Sequence, residues 1–127
     1  MSKTVKLLVS AGLAAAGFPA AAAEWRCSNG DIAEIRCDRA SCDIERESFT
    51  PMGLSVTPTR IEICAYSGCF SGRVAIRRTA GDLVLYHAAI RTGTVIEPAA
   101  IILDTSARTA LMRWSGFSNV MKCTAAS

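Results

Sequence analysis

The stretch Arg60-Ile61-Glu62-Ile63-Cys64-Ala65-Tyr66-Ser67-Gly68-Cys69-Phe70-Ser71-Gly72-Arg73-Val74 decides the fold. Ile61, Ile63 and Ala65 alternate with Arg60, Glu62, Cys64 and Tyr66, the period of two that belongs to a half-buried strand rather than a helix. Ser67-Gly68 supplies turn residues, and the spacing sets Cys64 opposite Cys69 across a tight hairpin, where a disulfide would brace it. Beyond the turn, Val74 and Ile76 alternate with Arg73, Ala75 and Arg77. Thr79-Ala80-Gly81-Asp82 then turns the chain into a strand from Leu83 to Ala88, and the two segments are expected to pair.

The same punctuation runs outward in both directions. Trp25-Arg26-Cys27 leads into Ser28-Asn29-Gly30-Asp31, an Asn-Gly turn signal followed by Ile32 to Cys37, which predicts a first hairpin. Asp38 to Ser41 turns into Cys42 to Phe49, where Cys42, Ile44, Arg46 and Ser48 share one face of a polar segment that reads as strand or loop. Thr50 to Gly53 turns again, and Leu54 and Val56 alternate with Ser55 and Thr57 up to Pro58. On the other side, Thr92-Gly93-Thr94 and Glu97-Pro98 bound a weak segment, and Ala100-Ile101-Ile102-Leu103 is apolar enough to be buried. Ala110, Met112 and Trp114 form one face after the turn at Asp104 to Ala107, and Val120 to Cys123 supplies a last edge segment. About seven to nine short strands, with a turn signal every eight to twelve residues or so, predict an all-β domain built as a small antiparallel barrel or sandwich.

Lys3 and Lys6, an apolar run from Leu7 to Ala16, and Ala21 and Ala23 ahead of Glu24 make residues 1–23 a secretory signal peptide, too short in its apolar part to span a bilayer as a stop-transfer helix. Residues 24–127 then form one exported domain, periplasmic or secreted. Of the 14 basic residues two leave with the leader, so 12 face 11 acidic ones in the remainder. No basic stripe with interleaved aromatics supports nucleic-acid binding. All six cysteines lie after residue 23, and an even count in an exported chain points to disulfides. Cys27 and Cys123 near the two ends, Cys37 with Cys42, and Cys64 with Cys69 are the expected pairs; a Cys42–Cys64 or Cys37–Cys69 link is the alternative. Zinc on the two Cys-x4-Cys knuckles is the competing chemistry, disfavoured by the loose spacing and the oxidising compartment. No metal and no cofactor are expected.

Catalytic constellations are sparse. The single histidine, His87, has no acidic neighbour, and a triad would have to recruit Ser67 or Ser71 with Asp82 or Asp104 without a nucleophile elbow around either serine. Glu45 and Glu47 have the same-face spacing of a glycosidase pair, but also that of a solvated edge strand. Trp25 and Trp114 are read as fillers of the barrel ends rather than as a sugar platform.

In layout the chain resembles the small periplasmic inhibitors of C-type lysozymes. The likeness rests on the leader, the start Trp25-Arg26-Cys27-Ser28-Asn29-Gly30, the run of short strands, the central loop Ser67-Gly68-Cys69-Phe70, and the terminal Cys123. That resemblance implies a flattened antiparallel barrel, a bridge between first and last strands, and a Ser-Gly loop with an aromatic that enters the lysozyme cleft. The chain departs from the family pattern on that loop: the aromatic comes one position early, Ser71-Gly72-Arg73-Val74 has none, the later Lys-Gly step is missing, and Cys37, Cys42, Cys64 and Cys69 are additions. The resulting expectation is a non-enzymatic, disulfide-stabilised binding protein of the cell envelope, with a protein partner, lysozyme-type hydrolases being the specific version. Its binding surface would be Tyr66, Ser67 and Gly68 with Phe70 and Arg73. A small exported hydrolase using Ser67 or Ser71, or a purely structural envelope protein, are the alternatives.

Overall fold

A computed structural model describes residues 24–30, 34–46, 50–66 and 68–126. The leader read at residues 1–23 lies outside the described residues, as do Asp31, Glu47, Ser48 and Ser67. Among the described residues ten strands follow one another: β1 (Glu24–Ser28), β2 (Glu34–Cys37), β3 (Cys42–Glu45), β4 (Met52–Val56), β5 (Arg60–Ala65), β6 (Gly68–Ala80), β7 (Leu83–Thr92), β8 (Val95–Asp104), β9 (Thr109–Trp114) and β10 (Phe117–Ala126). All pairings are antiparallel. Strand β1 pairs with β4 along one edge and with β10 along the other, which closes β1 and β4 to β10 into a barrel of eight strands. The hairpin β2–β3 hangs from the half of β10 that β1 leaves uncovered, with Asn119 opposite Glu34 and Phe117 opposite Arg36. Strand β3 has β2 as its only strand neighbour among the described residues and ends the sheet as an edge. Asp38 shapes the turn of this hairpin by accepting the backbone N–H groups of Ala40 and Ser41 at 2.7 and 2.9 Å, which holds its carboxyl below the usual range.

The expected hairpin at Asn29-Gly30 does not form. Strands β1 and β2 are not partners, because Asn29 is drawn inside. It continues the inward series Trp25, Cys27, Asn29 and is fully buried, and its amide takes over the pairing to Met52 where the β1 ladder ends. The apolar run Ala100 to Leu103 also divides differently: Ile101 and Leu103 are buried, whereas Ile102 stands 42 % exposed on the outer face. In β8, flanked by β7 and β9, alternation decides which residue is buried, and residue hydrophobicity does not override it. Ile102 lies between Leu85 and Leu111 in register, forming an apolar row on the outside of the barrel.

Strand β6 is 13 residues long and serves two neighbours, β5 with its first half and β7 with its second. A register shift between Val74 and Ile76 breaks the alternation read from sequence. Val74 packs against the core and Ile76 turns out to solvent, while Arg77 comes opposite Tyr86 on the inner face and lays its guanidinium over that ring at 5.8 Å. The extra residue re-phases the strand as a β-bulge does. Gly72 stands just before the shift. A Cβ there would run into the Ala89 carbonyl oxygen and lie 3.2 Å from Ile90 Cδ1, so β6 crosses β7 only because this residue has no side chain.

The interior is filled by Leu54, Val56, Ile61, Ile63, Ala88, Ile90, Ile101, Leu103, Met112 and Met121, each contributing at one of the alternate positions of its strand. Burying one such aliphatic side chain stabilises by about 2 kcal/mol. The six cysteines form Cys27–Cys123, Cys37–Cys42 and Cys64–Cys69, each between residues directly opposite in neighbouring strands. Among the described residues the Glu62 carboxylate and the Cys64 and Cys69 sulfurs lie within 4.8 Å of one another, but the two sulfurs are bonded together and are not thiolate ligands.

Two stability predictions follow from the closure and the crossing. Replacing Cys27 and Cys123 together by alanine should cost about 4.7 kcal/mol on the chain-entropy scale, against about 2 for either five-residue separation, because the first bridge spans 96 positions; guanidinium denaturation of the three double variants measures the order. Gly72→Ala should cost about 3 kcal/mol by overpacking, whereas Gly93→Ala, with open space around it but a left-handed φ, should cost about 1.

Candidate functional site

The turns β5–β6, β7–β8 and β9–β10 and the exit from β1 share one end of the barrel. The start of β1 at Glu24, the end of β10 at Ala126 and the remaining barrel turns lie at the other. At the first end the turn after β5 carries Tyr66 in the left-handed region, φ 55°, with its side chain 87 % exposed. A bulky residue is strained there, and two constraints hold it. Cys64 and Cys69 are joined across the hairpin, and the Tyr66 hydroxyl sits 3.2 Å from Thr50 Oγ1. The ring therefore stands in solvent while its tip is tied down.

Thr50 belongs to a buried polar cluster. Asn29 Nδ2 donates to the Thr50 carbonyl at 2.9 Å and to Asn119 Oδ1 at 2.8 Å, Asn29 Oδ1 accepts the Met52 N–H at 2.7 Å, and Asn119 Nδ2 reaches Met52 Sδ at 3.4 Å. Buried amides carry full desolvation costs unless paired, and these two satisfy each other and the backbone. The cluster fixes the segment at Thr50 on which Tyr66 leans.

Between Tyr66 and the β9–β10 turn lies an apolar cleft of about 390 Å³, walled by Met52, Ala65, Phe70, Trp114 and Phe117, with Tyr66, Thr50 and Ser115 among its polar members. Phe70 occupies an inward position opposite Ile63 and its ring lies over Gly68, 5.7 Å from the Trp114 ring centroid. Ser115, like Tyr66, has a left-handed backbone, φ 53°.

The structure thus brings Tyr66, Gly68 and Phe70 together, Phe70 as a wall of the cleft rather than a displayed side chain. Arg73 is elsewhere. It lies opposite Arg60, five residues along β6 from Gly68, roughly 17 Å away at strand spacing, in a groove with Pro58 and Thr59. Among the described residues a triad on Ser71 is not assembled either; Ser67 lies outside them. Ser71 accepts from Arg60 Nη2 at 2.6 Å, His87 lies opposite Ile76 and Ala100, and Asp104 Oδ1 accepts the N–H groups of Ser106 and Ala107. Trp114 is buried as a filler should be, and Trp25 packs partly against the core at the opposite end. Trp114 also lines the cleft. Sequence reasoning does not single out Thr50, Asn29, Asn119 or Ser115 for this site. For the two asparagines the signal was present, since Asn29 extends the Trp25, Cys27 series and Asn119 the Phe117, Met121, Cys123 series.

Comparison with protein-family models, curated proteins and solved structures returns no match.

The polar cluster yields a prediction about the rim. Asn29→Ala strands the Met52 N–H, the Thr50 carbonyl and Asn119 Oδ1, and should cost about 3 kcal/mol. Tyr66→Gly should stay within about 1 kcal/mol of the parent protein, because relief of the left-handed strain offsets loss of the bond to Thr50. Thermal denaturation of both variants checks the contrast.

Proposed function

We propose that the chain is an exported, disulfide-stabilised binding protein of the cell envelope, and that it engages a protein partner through the turn Tyr66-Ser67-Gly68 and the apolar cleft beside it. The observation that carries this reading is the Tyr66 ring, held in solvent by a strained backbone, a local disulfide and a tether to Thr50. An aromatic fixed before association loses little freedom on binding, and tyrosine is among the residue types that dominate interface energies. The neighbouring cleft offers the buried apolar centre such an interface uses.

Three disulfides are consistent with an oxidising compartment, and with the leader read at residues 1–23 this supports export to the periplasm or beyond. No helix among the described residues is long and apolar enough to cross a membrane. Inhibition of a lysozyme-type hydrolase is the specific form we favour, supported by the layout resemblance and by an aromatic projecting from the Ser-Gly turn. The separation of Ser71, His87 and Asp104 in register speaks against a triad on Ser71; a small hydrolase using Ser67 is the alternative reading.

The test is inhibition of a C-type lysozyme by the chain from Glu24 onward. Tyr66→Gly, which keeps the fold, should weaken inhibition at least about tenfold, the scale of an interface anchor. Arg73→Ala should leave it unchanged if the turn and cleft act alone. Unchanged inhibition by folded Tyr66→Gly rejects the turn as the site, and serine-dependent turnover of ester or peptidoglycan substrates rejects the binding reading altogether.

A further inference from the structure

The opposite mouth of the barrel, where β1 starts and the β4–β5, β6–β7 and β8–β9 turns gather, holds a cavity of about 210 Å³. Its walls come from inward positions of facing strands: Trp25 opposite Val56 across β1 and β4, with Arg77 opposite Tyr86 and Thr79 opposite Val84 across β6 and β7. Pro58, Gly81 and Thr105 add one residue from each turn.

Arg77 stands in this wall because of the bulge. Strict alternation from Val74 would put Ile76 inside and Arg77 outside, and the shift between Val74 and Ile76 exchanges them. Bulges gather at barrel rims, where they re-aim a side chain in this way. The Arg77 guanidinium lies over the Tyr86 ring at 5.8 Å, and Tyr86 is only 3 % exposed, so the cation rests on a fixed platform. No carboxylate is paired with it among the described residues. Glu24 pairs with Arg26 at 3.5 Å, Asp104 Oδ1 is taken by the N–H groups of Ser106 and Ala107, and Asp82 stands in the neighbouring turn without lining the cavity.

The polar inventory of the walls is one-sided. Arg77 and the Trp25 indole donate and cannot accept, Thr79 and Tyr86 offer hydroxyls, and the Thr105 hydroxyl already donates to the Asp82 carbonyl at 3.0 Å. No carboxylate or side-chain amide is among the lining groups. An occupant must therefore bring acceptors, and a planar carboxylate matches the guanidinium fork. Val56, Pro58, Val84 and the two rings require the rest of the occupant to be apolar. The cavity is smaller than the range of about 300–1,000 Å³ that drug-sized ligands fill, which limits that body to about one ring or a short branched chain.

We propose that this mouth of the barrel binds a small organic carboxylate, its charge on Arg77 and its apolar body against Trp25 and Val84. The site lies at the opposite end from the Tyr66 turn and is independent of the partner assigned there.

The chain has two tryptophans, so the ¹⁵N-labelled protein from Glu24 onward gives two indole N–H cross-peaks, which Trp25→Phe assigns. Titration with benzoate, phenylacetate and isovalerate should shift the Trp25 peak saturably with at least one of them and leave that of Trp114 in place. Benzyl alcohol, the ring without the charge, and acetate, the charge without the ring, should each bind at least about tenfold more weakly, and Arg77→Gln should weaken the best carboxylate about tenfold, as loss of a charge-assisted bond does. The proposal is overturned if none of the three carboxylates moves the Trp25 peak of the folded parent protein. It is also overturned if benzyl alcohol, acetate or inorganic phosphate matches the best of them, or if folded Arg77→Gln binds that carboxylate as tightly. Should Arg77→Gln not fold, Arg77→Lys, which keeps the charge and loses the planar fork, must weaken the same titration.

Discussion

Everything in this barrel depends on β1, a five-residue strand that holds two edges at once. Without it β4 and β10 would each present an unpaired row of backbone groups, the arrangement that invites aggregation. So short a strand brings few ladder bonds, and two reinforcements compensate. Cys27, the fourth of its five residues, is bonded to Cys123 directly opposite in β10. Asn29, one step beyond its end, substitutes its side-chain amide for a peptide group, reaching Thr50 ahead of β4, Met52 at the start of β4 and Asn119 in β10. The covalent link and the amide act on the same strand from the same inward face, two residues apart.

The second reinforcement is also what shapes the candidate site. Through Thr50 the buried amides reach the phenol of Tyr66, so closure of the barrel and presentation of the exposed aromatic are consecutive parts of one bonded chain. The rim around it carries two non-glycine residues in left-handed backbone, Tyr66 and Ser115, facing one cleft. Strain of this kind persists where the surroundings over-determine it, and it gathers at sites that bind. Trp114, buried behind the rim, lines the same cleft beside Phe70.

Much of the fold was legible because strands write their burial as alternation. Ile61 and Ile63, or Ala110, Met112 and Trp114, were placed by period two alone, and the cross-strand cysteine pairs followed from spacing and from the ends of the chain. The reading went astray where a local signal competed with a distant partner. Asn29-Gly30 has the chemistry of a hairpin turn, yet the asparagine is consumed by Thr50 and Asn119, 21 and 90 positions away. The bulge before Ile76 leaves no mark in hydrophobicity, since its cause is the need of β6 to leave β5 and join β7. For the site, the Cys64 to Cys69 turn was visible and its exposed tyrosine predictable. That Phe70 folds inward and Arg73 lies at the far end of the strand follows from register across β5 and β6.

The central claim is that the rim is a preformed recognition surface built on the Tyr66 turn. Amide hydrogen exchange of the chain from Glu24 onward, alone and with a C-type lysozyme, tests it directly. The account predicts that the lysozyme slows exchange over Ala65 to Phe70 and Trp114 to Phe117, with the distant turns at Thr57 to Arg60 and Gly81 to Asp82 unaffected. Protection confined to those distant turns, or to the outer row of Leu85, Ile102 and Leu111, would contradict it.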